Sequence, residues 1–321
     1  MKKWALRALR VVAIAAIAIW LFVFLHDFDW SKLGKSLEHA RVWPLLVAAM
    51  LNFVCLWGKA ACWHVVLAPR YLVPTNTLFR YTIAAFAASV IAPARAGELI
   101  RVWALKKRHG VTVADCAAVA VTEKLLDGLT MMILVAPVPW LVPGLPSWVG
   151  RAMFVCGAVA LAILVAVWFA VGRIPEGGGA NWFSRFVAGM HVVRSPRRLL
   201  LAAAALMLTW LADLAMVQLV MYAVGIDLPI GAGLLVLFTL NLTIAVPSTP
   251  GQVGALEAGV LAATRLLHIA DAPAFAFALL YHVLQILPLL VVALLTEAPL
   301  MFMRPTAADD AVPARTLETE P

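Results

Sequence analysis

The chain has 321 residues, is 64% hydrophobic and only 13% charged, and has a mean hydropathy of +0.95. Soluble domains carry about 25% charged residues, so a soluble enzyme is excluded and a polytopic membrane protein is indicated. The net charge of +8 reads as membrane orientation through basic cytoplasmic loops, not as nucleic-acid binding.

Lys2, Lys3, Arg7 and Arg10 precede an apolar run, but no small-x-small cleavage site follows it. Residues 9–25 therefore read as an uncleaved first span. A short amphipathic stretch at 30–41 is expected to lie at the interface. The second span, 43–67, is interrupted by Asn52 and Lys59. An apolar half-segment, 78–92, leads into a break at 92–101, and the basic cluster Lys106, Lys107 and Arg108 follows. Further spans are predicted at 113–135, 148–171 and 199–224. A second half-segment, 231–246, meets a second break at 246–257 and continues to about 267. The last span, 275–303, is bent at Pro288, and 304–321 reads as a disordered cytoplasmic tail. The four cysteines lie in or beside apolar segments, without metal-ligand or exposed disulfide spacing.

Orientation follows from the basic residues. With the N-terminus in the cytoplasm, 78–108 enters and leaves from that side and 231–268 from the opposite side. Only Lys32, Lys35, Arg41, Arg151 and Arg265 then face outward. The expected fold is an all-α polytopic membrane protein in one domain, 1–303. It has about six full transmembrane helices plus two oppositely oriented re-entrant (broken) helix hairpins, and both termini are cytoplasmic. Opposed broken helices are one way in which transporters build a midplane site.

The candidate residues fall in three places. In the first break, Pro93 withholds a backbone donor and Gly97 turns freely, placing Glu98 in the first turn of the restarted helix. Arg95 and Arg101 flank this turn as phosphate-gripping guanidiniums or as ordinary interfacial anchors. In the second break, Ser248 and Thr249 are natural caps. Gly251 and Gly254 leave amides open to an anion, and Glu257 follows. The predicted span 113–135 carries Glu123, Lys124 and Asp127. Glu123 and Asp127 share a face, and Lys124 is within reach of Asp127. Charges at that depth cost about 2.5–3.5 kcal/mol each on insertion scales, so they are expected to face protein or a water-filled cavity. Asp213, alone in its span, is the expected partner of Lys59 or of a first-break arginine, although Lys59 can instead snorkel. No histidine pair has metal spacing, and no nucleophile elbow or glycine-rich nucleotide loop occurs. No metal or cofactor is expected.

Three blocks carry a resemblance. Pro93-Ala-Arg-Ala-Gly97-Glu98-Leu-Ile-Arg101, Glu123-Lys-Leu-Leu-Asp127 and Pro247-Ser-Thr-Pro250-Gly251-Gln-Val-Gly254-Ala-Leu-Glu257 resemble, in order and spacing, the P-x-x-x-G-E-x-x-R, E-[RK]-x-x-D and P-x-x-P-G-x-x-G-x-x-E blocks of the lysylphosphatidylglycerol synthase transmembrane (flippase-like) family. The resemblance implies a bacterial inner-membrane domain that moves a lipid between leaflets. The lipid would be of phospholipid, hopanoid or glycolipid type. The soluble aminoacyltransferase domain of the fused members has no counterpart here, so lysyl-lipid synthesis is not implied. Two other readings stay open: an embedded transferase or hydrolase using Glu123 and Asp127 as acid and base, and an accessory scaffold of a lipid-synthesis complex. A homo-oligomer or a lipid-synthesis partner also stays open.

Overall fold

Helix breakers set the element boundaries along this chain. The computed structural model describes residues 30–91, 97–173, 182–245, 250–297 and 300, so the predicted first span and the tail lie outside the described residues. Among the described residues there is no strand. The helices are α1 (Trp30–Glu38), α2 (Val42–Leu67), α3 (Thr75–Ile91), α4 (Glu98–His109), α5 (Val113–Val135), α6 (Val138–Leu141), α7 (Ser147–Gly172), α8 (Trp182–Met190), α9 (Pro196–Ala223), α10 (Ile230–Ile244), α11 (Ala255–Leu266) and α12 (Asp271–Thr296). Gly110 ends α4 in the left-handed conformation at φ 66°, and Thr112 Oγ1 caps α5 by accepting from the Asp115 amide. Pro196 sits in the first turn of α9, where its missing donor costs nothing.

Among the described residues, four helices (α2, α7, α9 and α12) are long and apolar enough to cross a membrane. At 1.5 Å per residue, the 26 residues of α2 extend about 39 Å, beyond the ~30 Å of a hydrocarbon core. The chain is an all-α membrane protein.

α2 and α9 form the frame, packed antiparallel along most of their length. At one end, the Arg41 amide donates to the Ala223 carbonyl at 2.9 Å and the Arg41 guanidinium lies over the Tyr222 ring. At mid-length, Gly58 lets the two backbones touch. A Cβ there would lie 2.7 Å from the Ala205 carbonyl oxygen and would collide with the Thr209 hydroxyl. Thr209 Oγ1 also donates to the Cys55 carbonyl at 3.2 Å.

Two helical hairpins insert against this frame from opposite ends. The α3/α4 hairpin starts beyond the C-terminal end of α2 and doubles back, bringing Gly97 against Ala85 and Ser89, and His109 to within 3.2 Å of the Tyr81 hydroxyl. The α10/α11 hairpin starts beyond the C-terminal end of α9, which lies beside the N-terminal end of α2. Gly259 closes this hairpin: a Cβ at that position would sit 2.6 Å from the Leu240 Cα. The tips converge, since Gly251 of the second hairpin lies against Val90 of α3 and Ile286 of α12.

Pro288 lies inside α12 and cannot bond back to the Leu284 carbonyl. The Asn52 amide, midway along α2, supplies the missing donor, reaching Leu284 O at 3.2 Å and Gln285 O at 2.9 Å. Asn52 is buried, so Asn52→Ala leaves the Leu284 carbonyl without a donor and is expected to cost about 1–3 kcal/mol. Thermal unfolding in detergent checks this. Combining it with Pro288→Ala, which restores the helical donor, should recover most of the loss.

Candidate functional site

α5 carries the ionisable groups inward, and α2 receives them. Glu123 is 1% exposed. One of its carboxylate oxygens accepts from the Trp63 indole N–H and from Arg101 Nη2 at 3.3 Å, while the other faces Lys59 Nζ at 3.8 Å. The Arg101 guanidinium lies 3.7 Å from the Trp63 ring centroid, and Nε and Nη1 of Arg101 have no hydrogen-bond partner among the described residues. One turn further along α5, Asp127 Oδ2 pairs with Lys59 Nζ at 3.1 Å. Its Oδ1 is buried without a partner among the described residues. Trp210 of α9 donates its indole N–H to the Asp127 carbonyl at 3.1 Å, tying α9 to α5 at this level.

Beside this network lies a cavity of about 410 Å³ halfway along the frame. Asn52, Cys55 and Lys59 of α2 line it, with Asp127 of α5 and Thr209, Trp210 and Asp213 of α9. The first hairpin contributes Phe86, Ser89 and Val90, and Glu98 at the start of α4. The second contributes Asn241, Ile244, Gly251 and Gln252, while α12 adds His282, Gln285 and Leu289. The walls are therefore polar and ionisable on one part and aliphatic on another. Lys124 also faces the cavity and stands 4.0 Å from Glu98, both part-exposed.

The second break is shaped by backbone conformations that favour glycine. Gly251 (φ 62°), Gln252 (φ 63°) and Gly254 (φ 85°) are all left-handed, and Gln252 is the non-glycine exception. Glu257 turns back to accept from the Gly254 N–H at 2.7 Å, the glutamate half of a capping box. Its other oxygen meets His282 Nδ1, and His282 Nε2 stands 2.7 Å from the Gly251 carbonyl. Both ring nitrogens thus face acceptors, and two donors require an imidazolium. His282 clamps the tip to α12.

The structure brings Glu98, Lys124, Asp127, Asp213 and Gly251 around one cavity. It places Arg101 and Glu123 behind the cavity wall, and Gly254 and Glu257 inside the second tip. Arg95, Ser248 and Thr249 lie outside the described residues. Several pairings differ from those expected. Lys124 meets Glu98, not Asp127, whose carboxylate is already paired with Lys59. Asp213 accepts from the Tyr281 hydroxyl, which accepts in turn from Gln285 at 2.9 Å; Lys59 goes to the α5 carboxylates instead. Lys59 does not snorkel. Arg101 lies against Trp63 and Glu123, behind the cavity wall.

Sequence reasoning passed over Trp63, Trp210, Tyr281, His282 and Gln285. The last three form a polar patch at i, i+1 and i+4 within an apolar helix, and that was the available signal.

The chain is 21% identical over 287 residues to a UPF0104 membrane protein of Methanothermobacter thermautotrophicus, a match covering 80% of this chain and 81% of that protein. The model of the family described as lysylphosphatidylglycerol synthase TM region matches residues 9–293, and the chain belongs to that family.

Proposed function

We propose that the protein moves a polar lipid between the leaflets of a bacterial inner membrane. The headgroup would pass through the central cavity while the acyl chains stay in lipid. One observation carries this reading: a cavity halfway along a membrane-length frame, bounded by the tips of two opposed hairpins, with ionisable and aliphatic walls meeting in one space. That is the chemistry of an amphiphile, and its volume suits a headgroup, not a whole lipid. In this reading the hairpins are re-entrant, since broken backbone is tolerated at membrane depth where it lines a cavity. Asp127, Asp213, Glu98 and Lys124 contact the headgroup. Glu123 is sealed by Arg101, Trp63 and Lys59, so the acid–base pair of an embedded transferase would not be open to a reacting headgroup. This favours transport over covalent chemistry.

The test is transbilayer movement of labelled phospholipids in proteoliposomes. Asp127→Asn keeps the shape and removes the charge. It should slow movement roughly tenfold or more, because a hydrogen bond to a charged group contributes about 1.5–3 kcal/mol. Wild-type rates in this variant, or no movement by the wild type across several headgroups, would overturn the reading.

A further inference from the structure

A second cavity, of about 420 Å³, lies away from the first, where the C-terminal end of α2, α8 and the N-terminal ends of α5 and α9 converge. Arg70, Tyr71, Asp115, Arg194, Ser195 and Arg198 contribute its polar wall, and Val66, Leu67, Val119 and Val192 its apolar floor. Asp115 is the one carboxylate lining it, and that charge is already spent. It is ion-paired with Arg70 and accepts from the Tyr71 hydroxyl at 2.7 Å and the Thr112 hydroxyl at 2.6 Å. Burial, and then the hydrogen bond to Asp115, push the Tyr71 hydroxyl up to about 12, so it remains a donor.

Two guanidiniums are left over. Neither Arg194 nor Arg198 is within ion-pair distance of a carboxylate among the described residues. Arg194 is held in place, its guanidinium 4.8 Å from the Trp168 ring centroid and packed on Gly172, where no Cβ would fit. The same corner holds the start of α9. Ser195 makes no side-chain capping bond there, and the first turn carries no acid although its dipole favours one. A positioned guanidinium, a second one beside it, a free hydroxyl and a neutralised acid form a receptor lacking only its anion.

We propose that this cavity binds a phosphoryl anion that carries no compensating cation of its own. Arg194 and Arg198 grip the phosphoryl oxygens and Ser195 donates to them. Asp115, the one described carboxylate lining the cavity beside His191, is saturated, so no carboxylate there is left to pair with an amine. The group can arrive as the headgroup of an anionic phospholipid, with its glycerol on the apolar floor, or as free phosphate.

The test is native mass spectrometry of the protein in neutral detergent, titrated with phosphatidylglycerol or with phosphatidylcholine. Wild type should retain one more phosphatidylglycerol than phosphatidylcholine. Arg198→Ala should lose that lipid, weakening its binding roughly tenfold. Arg197→Ala removes the same charge one residue away, outside the cavity, and should stay within about twofold of wild type. Arg198 makes no packing contact of the Arg194 kind, so an unchanged elution profile shows the fold intact. Arg194→Ala repeats the test independently. Displacement of the lipid by millimolar inorganic phosphate would show that the phosphoryl group alone suffices. Resistance to phosphate would show that the lipid is required, and either supports the site. Equal losses in Arg197→Ala and Arg198→Ala, or a loss in neither, would overturn it. The readout is binding at this cavity, so it stands or falls separately from transport.

Discussion

Arg101→Ala is expected to destabilise the protein by about 3–5 kcal/mol, the cost of leaving one partner of a buried ion pair uncompensated. Arg101 is 3% exposed, Glu123 is 1% exposed, and the Trp63 ring fills the remaining side of the guanidinium. Removing the arginine leaves Glu123 with Lys59 at 3.8 Å and the indole N–H, and it opens a void against Trp63. Thermal unfolding in detergent is the measurement. The double variant Arg101→Leu, Glu123→Gln should regain much of the loss, because it removes both charges and refills the volume. An Arg101→Ala protein with wild-type stability but no lipid movement would instead return Arg101 to the cargo-gripping role that its sequence position suggested.

His282→Leu should have an effect of the same size, about 3–5 kcal/mol, for a different reason. The imidazolium is the only described cation on Glu257, and it also satisfies the Gly251 carbonyl. Leucine fills the space but leaves a buried carboxylate with backbone amides as its only described donors, and removes the ring nitrogen that meets the Gly251 carbonyl. His282 is the polar clamp between the second tip and α12, and without it the tip should loosen from that helix. Proteolysis between α10 and α11 would then accelerate while the rest of the chain stays folded. His282→Gln keeps one donor and should recover part of the protection. Unchanged protection in His282→Leu would show that the tip is held by something else.

The sequence announced where the chain breaks but not what the breaks touch. Gly97, Gly251 and Gly254 are legible because glycine acts locally, and the structure places helix ends and turns at them; Pro93 lies outside the described residues. Glu123, Lys124 and Asp127 stand out because charges are costly in an apolar helix. Their partners were not legible, since partner choice depends on how helices rotate about their axes. One turn of that rotation gives Asp127 to Lys59 and sends Lys124 to Glu98. His282 went unremarked in the apolar run, and only the folded tip supplies its two acceptors. Asn52 reads as an interruption until Pro288, far along the chain, is seen to have left the Leu284 carbonyl without its helical donor.

The contact at Gly58 decides which parts of this molecule can move. α2 belongs to the first half of the sequence and α9 to the second, yet their backbones meet where not even a methyl group fits. Machines that alternate by rocking one half against the other need a seam that opens, and here the central seam is welded. In the transport reading proposed above, access from the two sides would change at the periphery, by small displacements of the hairpin tips against a fixed spine. A distance label spanning α2 and α9 would read the same in every state, while one from Gln252 to the spine would report the cycle.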